Sequence, residues 1–137
     1  MDKLLDSLPL YVRIAEGAKD YLLMGIFKEE DRLPSTTTLS KQYNINIATV
    51  NKALAILVSE GYVYKKRGIG MFVKKGATNR LIKERRKLFE ENYLLPTLKE
   101  AFKLRYTKEE LMQIGHEAYK EVYGKLVQID GEEHEEE

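Results

Sequence analysis

The chain has 137 residues, of which 43% are hydrophobic and 33% are charged, and its formal net charge is +1. This size allows one domain of ordinary size or a small domain with an appendage. The absence of cysteine excludes disulfides, zinc-thiolate sites and thiol catalysis. No apolar run approaches the ~20 residues that cross a membrane, and the first residues lack the apolar centre of a signal peptide. We therefore expect a cytoplasmic protein without a membrane segment.

The small net charge averages segments of opposite sign. Residues 1–76 carry 12 Lys or Arg and 8 Asp or Glu, and residues 77–129 carry 11 and 8. Residues 130–137 carry six acidic residues and no Lys or Arg. The chain before the tail is thus mildly basic, which is compatible with a polyanionic partner. We interpret residues 130–137 as a disordered acidic tail; the alternative is a tail that competes with such a partner for the basic surface.

A first helix is predicted between Pro9 and Gly25. Ser7 can cap it, Pro9 suits the first helical position and Gly25 marks its end. Apolar residues recur in this segment with a 3.6-residue period and form one face. They are Leu10, Tyr11, Ile14, Ala18, Tyr21 and Leu22.

Two further helices follow at short spacing. Ser35 can cap a short helix over 36–43, and Asn44 suits the left-handed conformation that ends a helix. Asn46 can cap a third helix that runs to Glu60. The apolar residues of this third helix occur at i, i+3, i+4 and i+7, which indicates one buried face. They are Val50, Ala53, Leu54 and Leu57.

The pattern then changes from helical to extended. Residues 62–66 and 71–74 are predicted as strands, residues 67–70 as a glycine-rich hairpin turn and residues 75–79 as a linker. Helix, short turn, helix and basic hairpin is the order of a winged helix-turn-helix. In that fold the second helix of the motif lies in the major groove of double-stranded DNA.

Helical periodicity returns after the linker. A charged amphipathic stretch runs over residues 80–104, where Pro96 should kink or split the helix. Thr107 and Glu110 have the spacing of a capping box and open a last helix. Two helices alone cannot bury their apolar stripes, so we expect a homodimer formed through this segment. The candidate interface aromatics are Phe89, Tyr93, Phe102, Tyr106, Tyr119 and Tyr123; the alternative is packing within one subunit against the winged domain.

The fold class predicted is mainly α with a small β-hairpin wing. The domains are a winged helix-turn-helix DNA-binding domain over 1–76, a two-helix dimerisation segment over 77–129 and the tail over 130–137.

The residues expected to bind DNA fall into three groups. Asn can pair bidentately with adenine and Thr can contact the thymine methyl group, so the start of the third helix is expected to read bases. Hydroxyls and amides at the start of the second helix suit phosphate, and the cations and glycines of the wing suit the minor groove. The base-reading group is Asn46, Thr49, Asn51 and Lys52; the backbone group is Ser35, Thr36, Thr37 and Lys41; the wing group is Lys66, Arg67, Gly68 and Gly70. The alternative for Asn46 is a helix cap alone, and for the wing an ordinary hairpin with protective lysines.

Five motifs between residues 9 and 73 occur in a characteristic order. They are Pro9-Leu10-Tyr11, Leu33-Pro34-Ser35, Thr49-Val50, Glu60-Gly61 and Gly68-Ile69-Gly70-Met71-Phe72-Val73. Together they resemble the GntR family of bacterial transcription regulators. The short C-terminal part resembles the YtrA-like branch, which implies dimerisation through the C-terminal helices.

The chain departs from the family pattern at two positions. Thr37 and Ile47 stand where the family usually has arginines that contact DNA at the entry to the motif. Loss of two charge-assisted hydrogen bonds should weaken or redirect DNA binding without disturbing the core.

We therefore predict a sequence-specific DNA-binding regulator, a repressor, that acts as a homodimer on a near-palindromic operator. Neither His116 nor His134 has a spaced partner for metal or nucleophile chemistry, so neither an enzyme nor a cofactor is expected. One alternative is a winged-helix protein-interaction module with reduced DNA affinity. Another keeps DNA binding and adds a small-molecule effector between the C-terminal helices and the winged domain.

Overall fold

The computed structural model describes the backbone of residues 6–135 and the side chains of residues 6–127. The chain divides into two compact units, with the boundary after Lys87. The elements of the first unit are α1 (Leu10–Leu23), α2 (Thr36–Tyr43), α3 (Ile47–Ser59), β1 (Val63–Lys66), β2 (Gly70–Val73) and most of α4 (Ala77–Phe89). The second unit continues with a π-helical turn (Glu90–Leu94), α5 (Leu95–Lys103) and α6 (Lys108–Glu135).

Helix α1 has the predicted face but a different start. Pro9 is its N-cap residue and no side-chain hydrogen bond caps the helix, so the prediction that Ser7 caps it is wrong. Proline needs no cap for its own nitrogen, which carries no hydrogen, and its fixed φ prepares the first turn. The C-terminal end agrees with the prediction, because Gly25 follows the helix with a φ of 76°.

The ends of α2 and α3 follow the predicted capping chemistry. The Ser35 hydroxyl accepts a hydrogen bond from the amide of Thr38 at 3.1 Å, and Asn44 adopts the left-handed conformation that ends α2. The Asn46 side-chain oxygen accepts from the amide of Ala48 at 2.8 Å and starts α3. These contacts fix the two helices at a short turn, as the predicted helix-turn-helix requires.

Strands β1 and β2 form an antiparallel hairpin, in which Val63 faces Val73 and Lys66 faces Gly70. Residues 30–33 add a short third segment to this hairpin. The amide of Leu33 donates to the carbonyl of Met71 at 2.8 Å, and Arg32 forms an antiparallel bridge with Phe72. The sequence analysis missed this segment, because its pairing partner lies about forty residues further along the chain.

One apolar core holds the first unit together. It joins residues from every element of the unit except α2, which contributes the half-buried Leu39. Its members are Ala15, Leu22, Leu33, Val50, Ala53, Leu54, Leu57, Tyr62, Val63, Val73, Ala77 and Leu81. Complete burial of each leucine or valine side chain among them contributes about 1.5–3 kcal/mol.

The predicted linker over residues 75–79 is shorter than expected. Gly76 takes a φ of 82°, and α4 begins directly after it at Ala77. Ala77 and Leu81 are buried in the core of the first unit, which explains why helix replaces linker here. The functional division at residue 76 stays a prediction.

The second unit contains the predicted interruption near Pro96. The π-helical turn Glu90–Leu94 precedes α5, whose first turn contains the proline. A proline cannot donate the hydrogen bond that continues an α-helix, and a widened turn before it accommodates this loss. Thr107 and Glu110 form the predicted capping box, with both reciprocal hydrogen bonds at 3.1 Å.

Helix α6 extends further than predicted. Its backbone remains helical to Glu135, into the segment that the sequence analysis assigned to a disordered tail. Glutamate is a good helix former, which favours this continuation. Residues 136 and 137 lie outside the described residues.

Candidate nucleic-acid interface

The first turns of α3 present polar side chains to solvent. Asn46, Asn51 and Lys52 are exposed and Thr49 is half-buried. The Asn46 side-chain oxygen is engaged by the cap at Ala48, which leaves only its amide nitrogen available as a donor. The Lys52 ammonium lies 5.6 Å from the ring centre of Tyr11 on α1, a cation–π distance. Asn51 is therefore an exposed side chain of this helix start without a hydrogen bond or ion pair among the described residues, and Lys52 is exposed while its ammonium lies over the Tyr11 ring.

The start of α2 supplies hydroxyls and one cation. Thr37 and Lys41 are exposed and Thr36 is half-buried. Ser35 is exposed, but its hydroxyl contacts both the amide and the hydroxyl of Thr38, the latter at 2.8 Å. Ser35 thus serves first as the helix cap. The remaining free donors are the Thr37 hydroxyl and the Lys41 ammonium.

The two positions where the chain departs from the family pattern are on the surface. Thr37 is exposed at the start of α2, and Ile47 is 48% exposed in the first turn of α3. Neither side chain belongs to the core. The substitutions therefore alter surface chemistry and leave the packing of the fold intact.

The wing carries its charges on the hairpin and at the turn. Lys66, Arg67 and Gly68 are exposed, and Gly68 takes a φ of 77°, which favours glycine in the turn. The Lys66 ammonium lies 5.0 Å from the ring centre of Phe72 on the neighbouring strand. Gly70 is half-buried and has a φ of 150°. The wing thus combines cations with two positions that need glycine.

The cations of the first unit fall into two groups. Within the described residues no carboxylate forms an ion pair with the predicted DNA-binding cations, which are Lys41, Lys52, Lys66 and Arg67. Lys19, Arg80 and Arg85, by contrast, each contact one or two carboxylates. The cations at α2, α3 and the wing therefore remain available to a polyanion.

Two of the paired cations, Lys19 and Arg85, form an ion-pair cluster with Glu16, Asp20 and Glu60, which was not predicted from the sequence. The buried Lys19 ammonium lies 2.9 Å from a Glu16 oxygen and 2.6 Å from a Glu60 oxygen. The Arg85 guanidinium reaches Glu16 at 2.9 Å and Asp20 at 3.2 Å. The cluster therefore connects the C-terminal end of α3 with α1 and α4.

The electrostatics of this cluster keep Lys19 charged. Burial disfavours the ammonium, but hydrogen bonds and Coulomb attraction from Glu60 and Glu16 outweigh it, so the pKa of Lys19 is raised. Lys19 also follows the buried Ala15 by four residues and precedes the buried Leu22 by three. That position on the apolar face was the one signal in the sequence for a buried lysine.

Tyr62 and Tyr64 each donate a hydrogen bond to a carboxylate and have raised pKa values. Burial and a hydrogen bond to Glu84 raise the pKa of Tyr62, although the nearby Arg80 opposes the shift. A 2.6 Å hydrogen bond to Glu30 raises the pKa of Tyr64. Both tyrosines act here as neutral donors to carboxylates.

The described part of the chain brings together no group of three His, Cys, Asp or Glu side chains that could hold a metal ion. Across the same residues, no helix is long and apolar enough to cross a membrane.

Comparison with known proteins relates this chain to one family. The profile of "Bacterial regulatory proteins, gntR family" matches residues 10–73, which include α1 to β2. The HTH-type transcriptional repressor YtrA of Bacillus subtilis is 33% identical over 85 residues, 62% of this chain and 65% of YtrA. The uncharacterized HTH-type transcriptional regulator YurK of the same organism is 37% identical over 68 residues, half of this chain and 28% of YurK. The chain thus spans less than two thirds of either relative.

The structural comparison extends beyond the winged domain. A solved structure of a GntR-family transcriptional regulator from Bacteroides thetaiotaomicron is 30% identical to this chain. The two superimpose with a TM-score of 0.66 over 82% of this chain and 98% of the other. The profile match, the relatives and this likeness agree with the winged helix-turn-helix fold described above. The chain belongs to the GntR family of bacterial DNA-binding transcription regulators.

Proposed function

We propose that this protein is a sequence-specific transcription repressor that acts in the cytoplasm, as a homodimer, on a near-palindromic operator. The observation that carries the proposal is the separation of charges in the first unit. Lys41, Lys52, Lys66 and Arg67 have no carboxylate ion-pair partner within the described residues, whereas Lys19, Arg80 and Arg85 are each paired. Phosphates are the partners that such a surface favours.

In the proposed complex α3 enters the major groove and its first turns read bases. Asn51 is exposed and can pair bidentately with adenine, and Lys52 can donate to guanine. Thr49 can contact a thymine methyl group, and Asn46 adds the amide donor that its capping role leaves free. Ser35 caps the start of α2, where Thr36, Thr37 and Lys41 bind the DNA backbone.

The wing completes the proposed contact. Lys66 and Arg67 neutralise phosphates, and Gly68 and Gly70 keep the hairpin narrow at the minor groove. Exchange of Lys66 and Arg67 for alanine should weaken binding to all sequences to a similar degree. Exchange of Asn51 for alanine should instead blur the preference at one or two base pairs.

The proposed dimer forms through the second unit, which leaves large apolar side chains in solvent. Phe102 is 85% exposed, Val127 66% and Met112 63%. Five of the six predicted interface aromatics are exposed and Tyr93 is half-buried. Many large apolar side chains exposed on one unit favour an interaction site there. A symmetric dimer would present two α3 helices to half-sites about one helical turn apart.

Repression is supported by the relatives. YtrA, which covers more of this chain than YurK does, is named a repressor. A dimer bound across a promoter would act by blocking polymerase.

The test is a selection of bound duplexes from a random DNA pool, followed by anisotropy titrations of the enriched sequence over a salt series. We expect an inverted repeat and a steep fall of affinity with salt. Absence of enrichment, with weak binding that does not vary with salt, would contradict the proposal. That result would favour a winged-helix module that binds a protein, or a requirement for a small-molecule effector.

A further inference from the structure

The third segment of the wing places an arginine on its outer face. Directly opposed residues of antiparallel strands share a face, so Arg32 lies on the same side of the sheet as Phe72, its bridge partner. Tyr64 opposes Phe72 from the other strand, and their rings stack at 5.8 Å. Lys66 and Gly70, which oppose each other two residues away, share this face by alternation.

The opposite face of the same sheet belongs to the core. Leu33, Val63 and Val73 are buried and alternate with the residues of the outer face. The direction of the Arg32 side chain is therefore fixed by register, because a shift by one residue would expose Leu33 and bury the arginine.

Gly70 leaves the space that the Arg32 guanidinium occupies. A Cβ atom at residue 70 would lie 2.9 Å from the Arg32 Nε atom and 3.4 Å from Nη2. Lys66, which faces Gly70 across the hairpin, holds its ammonium 5.0 Å from the Phe72 ring centre. Two cations thus flank one glycine on the outer face of the wing.

No carboxylate in the described part of the chain forms an ion pair with Arg32 or Lys66. The acidic side chains on the same segment are Glu30 and Asp31. The Glu30 carboxylate accepts a 2.6 Å hydrogen bond from the Tyr64 hydroxyl, and the Asp31 carboxylate accepts a 2.9 Å hydrogen bond from the backbone amide of Lys28. Arg32 is exposed and its planar guanidinium can bind two oxygens of one phosphate. An anion bound by Arg32 would neutralise a cation that forms no ion pair within the described residues.

We propose that Arg32 is a further DNA-binding residue, which binds an operator phosphate beside the wing, and that Gly70 positions its guanidinium. This inference rests on the proposed DNA-binding function. With Arg32 the DNA-binding surface has a second arginine besides Arg67. Thr37 and Ile47 occupy the two positions where the family usually has arginine. Gly70 then has a second role, because the glycine makes room for a side chain in addition to narrowing the wing.

The first test compares Arg32→Gln with the matched control Arg86→Gln. Arg86 is an exposed arginine of α4 and forms no ion pair with any described side chain. Anisotropy titrations of the full chain on the selected operator should show that Arg32→Gln weakens binding about tenfold. The slope of log affinity against log salt should fall by about one. Arg86→Gln should leave both quantities unchanged, and an unchanged slope for Arg32→Gln would overturn the proposal.

A third variant separates this proposal from the proposed function. The pair Lys66→Ala and Arg67→Ala should reduce the salt slope if the wing binds DNA at all. If these changes reduce the slope and Arg32→Gln does not, the role of Arg32 is wrong while the function stands. If the unmodified protein shows no salt-dependent binding, the proposed function itself fails.

The role of Gly70 is tested by Gly70→Ala with and without Arg32→Gln, with folding verified by circular dichroism. Alanine at a φ of 150° strains the backbone whether residue 32 is arginine or glutamine. It displaces the guanidinium only when Arg32 is present. We expect Gly70→Ala to lower the salt slope by about one when Arg32 is present and to cause no further decrease after Arg32→Gln. Equal decreases in the two backgrounds would contradict a positioning role for Gly70.

Discussion

The two units of the chain differ in how far their apolar side chains are buried. In the first unit, twelve apolar residues form one buried core. In the second, Ala101 is the single buried apolar residue among residues 88–127, and large side chains such as Phe102, Leu104 and Val127 are more than 60% exposed. A core of the first kind can hold a fold by itself. A surface of the second kind is stable in water when it is covered, which supports the proposed pairing through the second unit.

The largest effect is expected in the core of the first unit. Leu57 is 2% exposed, whereas Leu126 in the second unit is 53% exposed. Leu57→Ala should lower the free energy of unfolding by about 2–5 kcal/mol, because it removes buried contacts and leaves a cavity. Leu126→Ala should have little effect on the unfolding of the first unit. Urea denaturation monitored by circular dichroism makes the comparison, and equal effects of the two changes would contradict it.

The next effect concerns pairing of the second unit. Phe102→Glu places a charge at the most exposed large apolar side chain among the described residues and should convert the proposed dimer to a monomer. Operator affinity should then fall about a hundredfold, because the two recognition helices no longer bind as one unit. Light scattering with size-exclusion chromatography measures the mass.

Lys108→Glu is the matched control for this change. It also introduces a glutamate, at an exposed position in the first turn of α6 where an acid suits the helix dipole. A dimeric mass for Phe102→Glu, or a monomeric mass for Lys108→Glu, would count against the assigned interface.

A smaller effect is expected from the ion-pair cluster. Lys19→Met should lower the free energy of unfolding of the first unit by about 1–3 kcal/mol. The loss is smaller than that caused by breaking a fully buried ion pair, because the partner carboxylates are partly exposed. The pKa of Lys19 is raised in the folded protein, so its stabilising contribution is complete below the ordinary lysine pKa of about 10.4. That contribution is lost as pH rises through the higher folded pKa.

The measurement is urea denaturation of the unmodified protein and of Lys19→Met between pH 8 and about 11. The difference between them should shrink only at the alkaline end. A difference that disappears near pH 8 would show that Lys19 is not held charged by Glu16 and Glu60.

The smallest effect is expected at the capping box of α6. Thr107→Ala removes the hydroxyl that accepts from the amide of Glu110 and should cost about 1 kcal/mol. Thr97→Ala, an exposed threonine of α5, serves as the control. Thermal denaturation followed at 222 nm should show a lower midpoint for Thr107→Ala alone; equal midpoints would indicate that the cap does not stabilise the second unit.

Local chemistry made much of the fold predictable. The boundaries of α2 and α3 depend on the caps Ser35 and Asn46 and on the left-handed Asn44, and each of these acts within four residues of itself. The wing was predictable because two short extended runs flank a glycine-rich turn. The family motifs lie in the same segments, which is why fold and family agreed.

The features that the sequence did not reveal depend on distant partners. Arg32 joins the wing through Phe72, forty residues later, and nothing near Arg32 signals a strand. Lys19 is stabilised by Glu60, which only the folding of α3 against α1 brings within reach. Helix α4 begins inside the predicted linker because Ala77 and Leu81 pack into the core that the preceding elements form.

The central claim, that the first unit binds DNA and the second pairs two chains, is tested most directly by the mass of the complex. Sedimentation of the full chain with a duplex that carries the selected inverted repeat should give two chains per duplex. A duplex with one half-site destroyed should bind the same dimer much more weakly. One chain per duplex, or equal affinity for the single and the double site, would contradict the account.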